Sequence, residues 1–76
     1  MTAREVVVGI IADEIGVAPS SVDTSVPFKD MGADSLDVIE ILCSVEEELG
    51  VDLEDFHPAT PESLIRFAED AKGSVF

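Results

Sequence analysis

The chain has 76 residues, and 17 Asp or Glu stand against only Arg4, Lys29, Arg66 and Lys72, a formal charge of -13. That length allows one small hydrophobic core, read as a single domain over residues 1–76, and no second. The charge excludes nucleic acid, whose phosphates would be repelled. An apolar fraction of 46% argues against intrinsic disorder, and no run approaches the roughly 18 apolar residues of a membrane span.

An acidic balance of this size suits partners with basic patches, because complementary fields steer encounter. At the start of the chain Val6-Val7-Val8 and Ile10-Ile11 are interrupted by Gly9 and followed by Asp13 and Glu14, which is not the pattern of a signal peptide. Cys43 has no second cysteine to pair with, which fits a reducing compartment. These features lead us to expect a cytoplasmic monomer.

Thr2-Ala3-Arg4-Glu5 has the capping-box pattern of a hydroxyl followed three residues later by Glu, and predicts a helix from Ala3 to Ile15. Val7, Val8, Ile11 and Ile15 share one face of it, and Gly16 is the expected stop. From Val17 to Asp34 there is no helical period, and Pro19, Ser20, Ser21, Thr24, Ser25, Pro27 and Gly32 punctuate a long connection. A loop of this length needs anchors or a function. Val17, Val22, Val26, Phe28 and Met31 are the candidate anchors.

A second helix is predicted from Ser35 to Leu49, with Ser35 where loop becomes helix, the place of an N-cap. Val38, Ile41, Leu42, Val45 and Leu49 form a core-facing stripe about 100° wide. The opposite face carries Leu36, Ile39 and Cys43 with Glu40 and Glu47 among them, and Asp37, Ser44 and Glu46 toward its margins. An apolar stripe turned away from the core and framed by carboxylates reads as a surface for a partner. After Gly50, Val51 to Phe56 has room for one short helical turn, which Pro58 limits. Thr60-Pro61-Glu62 is a helix start, with a hydroxyl cap, Pro at the first position and an acid in the first turn. The last helix should run from Pro61 to about Lys72 and bury Leu64, Ile65, Phe67, Ala68 and Ala71 in part, with Lys72 at its C-terminal end and Gly73 as the stop. The expected fold is all-α: an antiparallel bundle of three main helices with a long first loop.

Chemistry of the chain's own is poorly supported. Asp30-x-Gly32-x-Asp34 starts like an EF-hand loop, but Ile41 stands where the bidentate Glu belongs and Ser35 where the mid-loop Gly belongs. No metal site is expected, beyond loose attraction of divalent cations to clustered carboxylates. Ser35 lacks the Gly-x-Ser-x-Gly elbow of a hydrolase, and the one histidine, His57, sits in a loop beside Pro58. Cys43 has no partner that would make it a nucleophile or a ligand. Nothing here is expected to be an enzyme.

The run Gly32-Ala33-Asp34-Ser35-Leu36-Asp37, with Glu40 and then Glu46-Glu47-Glu48-Leu49-Gly50-Val51, resembles the acyl carrier proteins, and the resemblance covers essentially the whole chain. It implies that Ser35 receives 4′-phosphopantetheine from coenzyme A through a phosphopantetheinyl transferase. It implies that acyl groups travel as thioesters on that arm and are sheltered between the helices. It also implies that Asp34, Leu36, Asp37, Ile39, Glu40, Cys43, Glu46 and Glu47 face the transferase and ketosynthase- or acyltransferase-type enzymes with basic docking patches. Met31 stands where the family commonly has leucine, Cys43 where it has methionine or an aliphatic residue, and Asp52 to Pro61 is shorter and richer in proline. Fatty acid and polyketide synthesis therefore both stay open. A peptidyl or aminoacyl carrier of nonribosomal synthesis is the near alternative, and an acidic helical module that carries nothing is the contrasting one.

Overall fold

The computed structural model describes residues 2–53 and 56–73, with backbone alone at 72 and 73. Helix α1 (Ala3–Ile15), α2 (Ser35–Leu49) and α3 (Pro61–Gly73) are its three main elements, and no strand occurs among the described residues. Each helix starts where the local chemistry directs. Thr2 Oγ1 accepts from the Glu5 amide at 3.2 Å while Glu5 Oε1 accepts from the Thr2 amide at 3.0 Å, the reciprocal cap read from the sequence. At the far end Gly16 takes the left-handed conformation (φ 77°) and its N–H donates to the Ala12 carbonyl at 2.9 Å, ending α1 where expected. For α3, the Ser63 amide donates to Thr60 Oγ1 at 3.1 Å, so Thr60 is the cap and Pro61 the first helical residue.

The core is formed by one face of each helix. Val7 and Ile11 of α1, Ile41 and Val45 of α2, and Leu64, Ile65 and Ala68 of α3 are all wholly buried, with Leu42 almost so. Val8, Ile15, Val38 and Leu49 pack against this cluster from its edge, which bears out the stripes assigned from helical period. Phe67 does not belong with them. It is 37% exposed and stacks on Phe56, ring centroids 4.2 Å apart and planes 16° apart. On α3 the arc between Ile65 and Phe67 is about 200° at 100° per residue, so both cannot face one core.

The connection from α1 to α2 differs from the loop without helical turns that was expected. It holds two short 3-10 turns, Pro19–Ser21 and Phe28–Met31, each too short to show a helical period in sequence. Of the expected anchors Phe28 is buried, Val22, Val26 and Met31 are half-buried, and Val17 is exposed at 42%. Val17 directly follows the Gly16 cap, where the chain is leaving the helix for solvent. Backbone bonds complete the anchoring: the Phe28 amide donates to the Ala59 carbonyl at 3.0 Å and the Glu62 amide to the Thr24 carbonyl at 2.9 Å. A long loop is thereby tied to the start of α3.

Side chains reinforce the same junction. Arg4 of α1 meets Glu62 of α3 through two parallel bonds of 2.9 and 2.8 Å, and Thr24 Oγ1 donates to Glu62 at 2.9 Å. The Arg4 guanidinium and the Thr24 hydroxyl hold the Glu62 carboxyl down at about 2. The short helical turn expected over Val51–Phe56 falls partly outside the described residues. Within them Val51, Asp52 and Leu53 are non-helical, and the Phe56 amide donates to the Leu53 carbonyl at 3.1 Å. The side chain expected at the end of α3, Lys72, also lies outside the described residues.

Candidate functional site

The approach to Ser35 begins at Gly32, whose φ of 87° ends the second 3-10 turn in the region that glycine occupies without strain. Ala33 is buried, and Asp34, extended at φ -88° and ψ -176°, then starts α2. Asp34, not Ser35, is the N-cap. The Asp37 amide donates to Asp34 Oδ1 at 2.9 Å and the Asp34 amide donates to Asp37 Oδ2 at 3.1 Å. The expectation of a serine cap is corrected here: a carboxylate both accepts the amide bond and favours the positive end of the helix dipole. Ser35 is the first helical residue, exposed, with its hydroxyl outside the cap.

Two hollows meet at Ser35. The smaller is lined by Lys29, Ala33, Asp34, Ser35, Pro58 and Ala59 among others, and brings one cation, Lys29, to the serine's side. The larger is a groove of about 630 Å³ between α2 and the connection to α3. Val38, Ile39, Leu42 and Cys43 line one wall and Leu53, Phe56, His57 and Pro58 the other. That volume is in the range of pockets that enclose the apolar body of a small molecule.

The residues expected to meet partners occupy a ridge with two flanks. Leu36 and Ile39 are exposed at 68% and 54% on its crest, with Glu40, Cys43 and Glu47 exposed beside them. Glu46 lies on the groove flank, half-buried, and its Oε2 accepts from the Leu53 amide at 3.0 Å. It is thus tied to the chain that follows α2. Asp37 and Glu40 turn toward α1, where they meet Glu14. One oxygen from each of the three carboxyls falls within 4.8 Å of the others. The neighbouring Glu40 and the loss of water push the Glu14 carboxyl up to about 7, with Asp37 adding to the effect. Glu47 lines a separate hollow between α1 and α2 with Glu5, Asp13, Glu14 and Glu48. The apolar crest and the carboxylates are all present, but two of the acids are engaged with α1 and one with the connection to α3.

Sequence reasoning missed Glu14, Lys29, Phe56 and the groove role of His57. None has a spacing signal, because each reaches the site only through the folding of a separate segment against α2.

An exposed serine hydroxyl at the amide-rich end of a helix, with a cation beside it and an apolar groove leading away, fits a phosphodiester-linked arm. The start of α2, Lys29 and the groove all border Ser35, the arrangement an anionic link with an apolar cargo would need. The comparisons agree with that class. Residues 5–67 match the family model described as "Phosphopantetheine attachment site". A protein named acyl carrier protein from Solidesulfovibrio magneticus is 38% identical over 77 residues, covering 96% of this chain and 99% of its own. One of the same name from Nitratidesulfovibrio vulgaris strain Hildenborough is 43% identical over 56 residues, 72% of this chain and 74% of its own. The chain belongs to the acyl carrier protein family. It is a carrier rather than an enzyme, and its prosthetic group is 4′-phosphopantetheine.

Proposed function

We propose that Ser35 is the attachment residue and that the chain works as one carrier domain in the cytoplasm, passing acyl thioesters between fatty acid or polyketide enzymes. The observation that carries this reading is the position of Ser35. It is exposed at the start of α2, outside the Asp34–Asp37 cap, and is one of the residues lining the apolar groove. When bound, the arm supplies a terminal thiol for thioester formation. The chain's own residues do the rest. Asp34 and Asp37 fix the first turn so that the Ser35 hydroxyl is presented at a constant angle. The N-terminal amides of α2 and Lys29 offset the phosphodiester's charge. Val38, Leu42, Leu53 and Phe56 offer apolar walls that keep water from an acyl chain.

Leu36 and Ile39 on the crest, with Glu40, Glu47, Cys43, Glu46 and the two capping aspartates around them, form the surface that the phosphopantetheinyl transferase and ketosynthase- or acyltransferase-type enzymes would grip. Exposed apolar side chains supply buried contact, and the carboxylates steer a basic patch. The charge of -13 is consistent with such partners, and the lone, exposed Cys43 with a reducing compartment. Incubation with coenzyme A and a broad-specificity phosphopantetheinyl transferase, followed by mass measurement, tests the reading. One phosphopantetheinyl group should appear on the wild-type chain and none on Ser35→Ala. Loading that persists in Ser35→Ala would refute the assignment.

A further inference from the structure

The hollow between α1 and α2, away from Ser35, encloses about 620 Å³. Its floor is apolar: Val6, Gly9 and Ile10 lie at helical spacing on the flank of α1 beside the core-facing stripe, and Val6 and Ile10 are half-buried. Its rim is acidic, with Glu5, Asp13 and Glu14 of α1 set against Glu47 and Glu48 of α2. Among the described residues no cation lines it, since Arg4 and Arg66 meet Glu62 and Lys29 borders Ser35. The same surplus of like charge shows in Glu14, whose carboxyl Glu40 and Asp37 push up.

Gly9 has no explanation in the chain's own packing. It sits in the middle of α1, where glycine is a poor helix former, and it is not among the glycines with a left-handed backbone. A Cβ placed on it would meet no heavy atom within 4 Å, so no neighbour excludes a larger residue. Lacking a side chain, it keeps the middle of the floor bare. An occupant matched to such a hollow has an apolar stem for the floor and a positive head for the rim, which is the chemistry of an arginine or lysine side chain. A hydrated metal ion would use the rim and leave the floor wet. The space also exceeds one side chain, so the turn of chain that presents it has room to enter.

We infer that the α1–α2 hollow is a docking site for a basic side chain of a protein partner, its stem laid over Gly9 and its head held between the carboxylates of the two helices. Arginine suits it best, because its planar fork can bond two carboxylate oxygens at once. Glu47 stands both on this rim and beside the exposed crest of Leu36 and Ile39, so the surface offered to a basic partner continues over the α1 flank. The site does not depend on an arm at Ser35.

The test titrates the full chain, at constant salt, with three alanine-based helical peptides and follows its backbone amide signals. One peptide carries a single central arginine. The second has citrulline there, of the same shape without charge, and the third 2-amino-3-guanidinopropionate, with the same head on a stem two methylenes shorter. The arginine peptide should shift signals of residues 5–14 and 44–48 saturably. It should bind about tenfold more tightly than the short-stemmed peptide, and more tightly still than the citrulline one. Gly9→Leu should raise the thermal midpoint, leucine being the better helix former, yet weaken the arginine peptide severalfold. Gly9→Ala, which adds one carbon to the floor, carries this arm of the test if leucine disturbs the fold. Glu48→Gln should weaken the arginine peptide and leave the citrulline one unchanged. Equal binding of the long and short stems, or of arginine and citrulline, overturns the site, as does unweakened binding in the Gly9 variants. Shifts confined to residues 36–43 overturn it as well. So do the same shifts appearing when the chain alone is concentrated, which would mark a second copy as the occupant, or magnesium displacing the peptide at equal ionic strength, which would mark a metal site. Loading of Ser35 is read separately by mass, so its failure is distinct from any of these.

Discussion

Asp34 and Asp37 hold each other's backbone amides across the first turn of α2, at 2.9 and 3.1 Å, and Ser35 stands between them with no part in the cap. Stability and chemistry are thereby assigned to different side chains in adjacent positions. The residue proposed to carry the arm is left unburdened, while its neighbours hold the turn that presents it.

This separation predicts opposite outcomes for two neighbouring substitutions. Asp34→Ala removes the cap and should cost about 1 kcal/mol, lowering the thermal midpoint by about 4–8 °C in a domain of this size. Ser35→Ala should leave the midpoint within a degree or so of wild type, since alanine is a good helix former and no cap is lost, yet abolish loading. Thermal unfolding beside mass measurement reads both. A large loss of stability in Ser35→Ala would mean that its hydroxyl holds the fold.

The two aromatic and aliphatic candidates for the core should also separate. Ile41 is wholly buried among all three helices, so Ile41→Ala should cost roughly 2–5 kcal/mol. That is a large part of the 5–15 kcal/mol that folded domains typically have. Phe67→Ala removes a partly exposed ring stacked on Phe56, and its cost should be clearly smaller. Denaturant unfolding at neutral pH orders the two, and an Ile41→Ala protein as stable as wild type would mean that α2 is rotated about its axis.

The contrast between Ile41 and Phe67 marks how far the sequence could be read. Helix limits were legible because each has a local signal: Thr2 with Glu5, Gly16, and Thr60 with Pro61 all act within a single turn. The core face of α2 was legible because Ile41, Leu42 and Val45 repeat at helical spacing. Phe67 was misplaced because it was assigned inward from helical period with Leu64, Ile65 and Ala68, although it lies about 200° from Ile65 around the helix, while its partner, Phe56, sits in a connection without period. The cap at Asp34 was missed for a related reason. Aspartate and serine are both good caps, and adjacent ones differ only in which backbone dihedrals they adopt. Glu14 was illegible altogether, since its neighbours Asp37 and Glu40 arrive from another helix.

The Glu14 cluster carries a pH dependence whose sign is fixed. Facing Glu40 and Asp37 from α1, Glu14 binds its proton more tightly in the fold, at about 7, than an ordinary glutamate does at 4.5. Between those values the folded chain keeps a proton that the unfolded chain releases, so stability should fall as pH rises from about 4.5 to 7. Glu62 has the opposite sign. Held at about 2 by Arg4 and Thr24, it contributes stability above pH 4.5 that is lost as pH falls toward 2. At constant salt, Glu14→Gln should flatten the upper decline and raise the midpoint at pH 8, and Glu62→Gln should remove part of the acid limb. An upper decline unchanged in Glu14→Gln would show that general repulsion among the carboxylates, not this cluster, sets it.

The partner face can be tested through the same cluster, because Glu40 has two neighbours to answer to. Glu40→Lys places a cation beside Glu14 and Asp37, where three carboxyls now crowd, so it should raise the thermal midpoint. Any slowing of loading in this variant therefore cannot come from unfolding. Glu47→Lys reverses a second exposed charge near the crest. Exposed pairs are individually weak, typically below 1 kcal/mol, and are screened by salt, so their effect belongs mainly to encounter rate and orientation. The double reversal should slow phosphopantetheinyl transfer severalfold in low salt, and the defect should shrink as salt rises, because wild type loses steering while the variant loses repulsion. Leu36→Ala removes an apolar side chain that is 68% exposed and contributes nothing to the core. It should slow transfer with little dependence on salt. Initial rates of loading across a salt series, set beside the midpoints, separate the three variants. A double reversal that is more stable than wild type and loads equally fast in low salt would place the docking surface elsewhere on the molecule.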